Sequence, residues 1–226
     1  MPNSPLQAPR TGRHAAGRRI DPRSPAWWRR LIFGDWHPLL RDPLDLGRLA
    51  FLAAAIVFLL AGSLEYAVRL AGTFLLLMGA QRLRLPRLFD LLFLVAMALQ
   101  AWGNALRLFE DVFWWDNLVH FAVPFASVPV LYVLNVRLGL LPNLEEEPYP
   151  RHRLGLVLFG VFNGIAIGAL YEIYEYVAVN WLDAPLAIGY SDTIFDLTLD
   201  TGGSLAGGVL LMLWASARWG TERRPL

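Results

Sequence analysis

Asp116 and His120 stand four residues apart, Glu172 and Glu175 three apart, and Asp192, Asp196 and Asp200 follow at four-residue steps. On a helix these spacings put side chains on one face. Six carboxylates with one imidazole make a donor set that suits Mg²⁺, Mn²⁺, Fe²⁺ or Zn²⁺; Ca²⁺ fits less well with a histidine. A cation held by Asp116, His120, Glu172 and Asp200 would polarise an oxygen or activate water. Glu175 or Asp196 would then serve as general base. Without a cation, two carboxylates about 4 Å apart repel by roughly 4 kcal/mol at an effective dielectric of about 20, so protons must be shared instead. No serine or cysteine nucleophile motif is present. The chain has no Cys, which excludes disulfides and thiolate metal sites.

Those residues must be positioned by elements that suit a membrane. The chain is 56% hydrophobic over 226 residues, with a mean hydropathy of +0.42. That is too apolar for a soluble domain and predicts an all-α, polytopic membrane helix bundle. Six spans are expected, at about 46–64, 66–81, 88–109, 117–136, 154–181 and 194–217. The second is short and carries Arg69. Around this transmembrane domain of 46–217, residues 1–26 read as a disordered Arg- and Pro-rich tail. Residues 27–45 read as an interfacial segment, and 218–226 as a second tail. Ionisable groups at the edges of such spans are costly, which makes them candidates for a functional site.

Charge asymmetry orients the bundle. All 20 basic residues are Arg. With six spans, 18 of them fall on one side and only Arg69 and Arg107 on the other. The positive-inside rule makes the first side cytoplasmic, with both termini there. Counted at about 1.5 Å per residue from that side, His120, Glu172, Asp200 and Asn104 form one layer about 24–27 Å up. Asp116, Glu175 and Asp196 form a second layer about 5 Å further out. Arg107 is the nearest cation by depth, and Asn104, Arg107 and Asp192 are expected to line the site. Gly160, Gly164 and Gly168 step in fours towards Glu172, and Gly203 and Gly207 follow Asp200. Small residues at this spacing allow helices to approach closely in lipid, so the fifth and sixth spans are expected to pack through glycine faces.

Blander roles fit other residues. Asp183, Glu175 and Asp192 suit solvated helix ends, and Asp192 and Asp196 suit the start of the last helix, where its dipole favours acids. Glu145, Glu146 and Glu147 read as a solvated loop. Tyr171, Tyr174 and Tyr176 read as belt and packing residues. Pro124 and Pro129 are expected to kink their helix.

Three blocks carry a resemblance: Trp115 to Phe121 (WDNLVHF), Tyr171 to Tyr176 (YEIYEY) and Asp192 to Gly203 (DTIFDLTLDTGG). Together they resemble the YjdF-like multi-pass bacterial inner-membrane proteins, over about residues 88–214. The aspartate-to-histidine step on one helix also resembles VanZ-like membrane proteins, more distantly. The resemblance implies an inner-membrane helical bundle and the position of the site, and it supplies no reaction. Membrane lipids are the expected partners, and nucleic acid is not. Three functions are therefore open: a metal-dependent enzyme acting on a lipid or envelope substrate near the extracytoplasmic leaflet, a proton- or ion-coupled transporter, and a structural membrane protein held together by its acids. The acids lie near one interface rather than at the midplane, which counts against transport.

Overall fold

The computed structural model describes residues 43–142, 150–182 and 189–217. The two tails, nearly all of the interfacial segment, the glutamate run at 145–147 and Asp183 lie outside the described residues. Within them the chain is entirely helical: α1 Pro43–Leu60, α2 Leu64–Arg82, α3 Arg87–Ala105, α4 Leu108–Asp111, α5 Trp115–Arg137, α6 Pro150–Leu182 and α7 Tyr190–Ala217. Five of these, α1, α3, α5, α6 and α7, are long and apolar enough to cross a membrane. The second expected span, α2, has 19 residues but is not among the five. Glu65, Arg69, Gln81 and Arg82 lower its hydropathy, and Arg69 is paired with Glu65 at 2.7 Å.

Helix ends follow local chemistry. Gly62, in the left-handed region at φ 79°, closes the turn between α1 and α2 and makes them a hairpin. The third expected span stops at Ala105 rather than continuing to 109, because Arg107 adopts φ 59° and breaks the helix. That geometry is uncommon for a residue with a Cβ. The two-turn reversal through α4 aims α5 back along α3. Trp115, whose Nε1 donates to the Leu99 carbonyl at 3.3 Å, seats the start of α5 on α3.

Two packing seams set the register of the site. Along the first, α6 and α7 run antiparallel with Gly160 opposite Gly208, Gly164 opposite Ser204 and Gly168 opposite Asp200. A Cβ on Gly160 would fall 2.9 Å from the Gly208 Cα, and one on Gly168 would overlap the Asp200 carboxylate. Along the second, α5 and α7 run parallel, and here the glycine expectation needs correction. Gly203 and Gly207 face α5, not α6, lying against the carbonyls of Phe121 and Phe125. Pro129 has no N–H to give the Phe125 carbonyl, which lets that oxygen meet Gly207 instead.

A buried polar group at the opposite end of the bundle was not anticipated. Arg48, counted in the sequence as a cytoplasmic-side charge, is 1% exposed. It bonds Asp45 of α1 at 2.5 Å and Asp90 of α3, while Gln81 of α2 donates to Asp45 at 2.6 Å. Asp45 thus belongs to α1 rather than to an interfacial segment. Beside this group Phe89 packs on Trp214, with ring centroids 5.0 Å apart, tying α3 to the end of α7.

Candidate metal centre

Asp116 and His120 share a face of α5, and Asp196 and Asp200 share a face of α7. The parallel seam at Gly203 and Gly207 brings these two faces together. One ligand atom from each of Asp116, His120 and Asp196 lies within 4.8 Å of the other two. Two ligands of one cation stand roughly 3–4 Å apart when each bond is about 2.1 Å. The His120 Nε2 and Asp116 Oδ1 pair, at 3.6 Å, is already at that spacing. Asp196 and His120 are buried, and Asp116 is half-buried at the mouth.

Asp200 acts on His120 from the other side. His120 Nδ1 lies 3.3 Å from Asp200 Oδ1, and Nε2 lies 3.6 Å from Asp116 Oδ1. With its proton on Nδ1, the ring donates to Asp200 and turns an unprotonated Nε2 towards Asp116. A carboxylate behind a histidine fixes the ring and raises its strength as a ligand. This revises the expected ligand set: Asp196 joins the group, and Asp200 stands behind the histidine.

Glu172 is not in that group, and the register explains why. The α6–α7 seam sets Gly168, not Glu172, opposite Asp200, so Glu172 falls one turn further along, level with Asp196. The expected layers were counted from residue 154, but α6 begins at Pro150 and continues to Leu182. Glu172 is half-buried, and its Oε1 is buried without a hydrogen-bond partner. It interacts electrostatically with Asp196 and Glu175, and Glu175 in turn with His120 and Asp116. Both glutamates therefore border the group. Asp192 is exposed at the start of α7.

Arg107 does not reach the acids. It is exposed and turns back on Glu110 of its own loop, with Nε donating at 2.7 Å. That hydrogen bond holds its guanidinium above its ordinary pKa. Asn104 is half-buried at the end of α3 and gives its carbonyl to the Arg107 N–H at 3.1 Å. None of the described hydrogen bonds joins it to the cluster. With Arg107 turned away, His120 is the one described basic side chain paired with the acids. Two carboxylates within 4.8 Å of each other repel by about 3 kcal/mol at an effective dielectric of about 20.

Two residues at the site did not stand out in the sequence. Tyr171, read there as packing, lies edge-on to His120 with centroids 5.5 Å apart. Its hydroxyl accepts from Gln100 Nε2 of α3 at 2.9 Å. Both line a cavity of about 190 Å³ that reaches from His120 and Asp200 towards Val123, Pro124 and Ile167. Gln100 could have been found as a lone amide within a run of apolar residues, a position where a polar group needs a partner.

A bundle of membrane-length helices with an Asp–His–Asp group buried near one end defines an integral membrane protein with a site able to hold a cation. The chain belongs to the family described as predicted membrane protein DUF2238, whose model matches residues 46–217. The YjdF-like resemblance is consistent with that family. No curated protein and no solved structure matches the chain.

Proposed function

We propose that this protein is a metal-dependent enzyme of the bacterial inner membrane acting on a lipid or lipid-linked envelope substrate, with both termini cytoplasmic and the site near the extracytoplasmic leaflet. The observation that carries the reading is the arrangement around His120: Asp200 beside one ring nitrogen, Asp116 facing the other, and an Asp196 oxygen within 4.8 Å of a ligand atom of both His120 and Asp116. A divalent cation there would polarise a substrate oxygen or supply hydroxide at neutral pH. Asp116, His120 and Asp196 would be its ligands, and Glu172 and Glu175 are the carboxylates placed to take a proton. The Arg asymmetry supports the orientation.

Elemental analysis of detergent-purified protein, after exposure to Mn²⁺, Mg²⁺, Fe²⁺ or Zn²⁺, tests the reading. One metal per chain in the wild type, absent from a monodisperse His120→Gln variant, is the expected result. Folded wild type that takes up none of these ions would overturn the metal centre and favour shared protons, the chemistry of a proton-coupled transporter. Stoichiometric metal then justifies a hydrolysis and transfer screen with outer-leaflet lipids.

A further inference from the structure

The cavity beside the acidic group differs from it in character. Its walls are apolar, formed by Val119 and Val123 of α5 and Ile167 of α6. These residues lie deeper along their helices than Asp116 and Glu172, so the cavity extends from the cluster towards the middle of the bundle. Gln100 and Asp200 are the polar exceptions to this lining besides His120 and Tyr171. Gln100 Oε1 and Asp200 Oδ2 are both buried without a hydrogen-bond partner, and the Asp200 residue is 2% exposed. A buried acceptor left unsatisfied is costly.

The flank of this cavity is weakly closed. α3 and α6 do not pack along each other. Gln100 of α3 donates to the Tyr171 hydroxyl of α6 across this flank. Leu91 and Val95 of α3 and Leu170 and Ile173 of α6 are exposed. In a membrane those side chains would meet lipid.

We infer that this cavity seats the apolar chain of a hydroxyl-bearing membrane lipid that enters sideways between α3 and α6. The inference rests on the proposed function and names its substrate class. The chain fills the apolar walls, and the hydroxyl donates to Asp200 Oδ2 or Gln100 Oε1. The remaining head group then extends outward to Asp116 and Asp196. A saturated hydrocarbon would leave those two acceptors unsatisfied. A lone water would have apolar wall on most sides, where it needs two to four polar partners.

Full-length protein in nanodiscs of phosphatidylglycerol and phosphatidylethanolamine would be doped with a diacylglycerol carrying a diazirine in its acyl chain. After irradiation, labelled residues are mapped by peptide mass spectrometry. The expected labels fall on Val123, Pro124 and Ile167. Val123→Trp, which fills the cavity, should reduce them about tenfold, the loss expected when a favourable contact is replaced by obstruction. Ile167→Phe serves the same purpose from α6 should the first variant fail to fold. A probe with its hydroxyl methylated should label the cavity several-fold less than the parent. Labels confined to outward residues such as Leu170, Ile173 and Leu205 would overturn the inference, as would equal labelling by both probes. Metal content measured on the same samples separates the two readings. Cavity labelling without metal leaves the lipid seat standing and removes the metal centre; metal without cavity labelling does the reverse.

Discussion

Two groups of buried charge sit at opposite ends of this bundle and are built on opposite principles. At one end Arg48 stands between Asp45 and Asp90, with Gln81 completing the group. Acid and base are bonded directly, and three helices are joined by the result. At the other end Asp116, Asp196 and Asp200 crowd one histidine, while Asp200 Oδ2 and Glu172 Oε1 have no partner. In the paired group each aspartate bonds the arginine directly. The acidic group sets one histidine against its aspartates, and the nearest loop arginine, Arg107, is bonded to Glu110 instead. Burial alone therefore does not mark a functional site. A crowd of carboxylates around one imidazole does.

The largest effect should come from breaking the paired end. Arg48→Met leaves two buried carboxylates without their cation, and one-sided loss of a buried pair costs about 3–5 kcal/mol. A thermal melt in detergent should show this as a large drop in Tm and folded yield. Adding Asp45→Asn and Asp90→Asn to Arg48→Met should recover most of it. Next in size, Asp200→Asn should leave the fold intact and weaken metal binding by about 10- to 100-fold, the usual cost of losing the carboxylate behind a ligating histidine. Competition with a chelating dye reads this directly. A smaller effect, of opposite sign, is expected at the ligands themselves. Asp196→Asn removes one of the crowded charges, so metal-free protein should become more stable by about 0.5–2 kcal/mol, within the range typical of relieving a functional compromise. A matching loss of stability would show that the acids hold the bundle together and would erase the contrast between the ends. Last, Arg107→Gln should change neither Tm nor metal content, because an exposed pair within one loop contributes little.

The sequence showed the membrane bundle and the end of it that carries the acids, because hydropathy and four-residue spacing are properties of single helices. It showed less about which acids meet. Glu172 and Asp200 were expected in one layer, but their heights depend on where α6 begins; the expected span starts at Leu154, although Pro150 takes the first helical position, where proline is favoured. The partner of a glycine row is equally hidden: Gly203 and Gly207 had a matching row on α6, yet it is Ser204 and Gly208 that take α6, leaving the other two for α5. The Arg48 group was missed for a different reason. An arginine near a chain of cytoplasmic arginines looks like one of them, and its two aspartates lie 42 residues and one short step away.

The length of α6 bears on the setting of the site. At 33 residues it measures about 50 Å, against a hydrocarbon layer roughly 30 Å thick. Closing that gap by tilt alone would need an angle beyond the roughly 40° reached by membrane helices. Part of the helix must therefore stand in the headgroup region, and α7, at 28 residues, shares the excess. The turns bearing Glu175 and Asp192 lie towards one pair of helix ends and the cavity nearer the helix middles, so the acids stand closer to water and the cavity closer to acyl chains. A bilayer a few ångströms thicker or thinner would shift how much helix projects without exchanging those two neighbours. The protein should accordingly tolerate changes in lipid chain length that would disturb a bundle cut to match a single thickness.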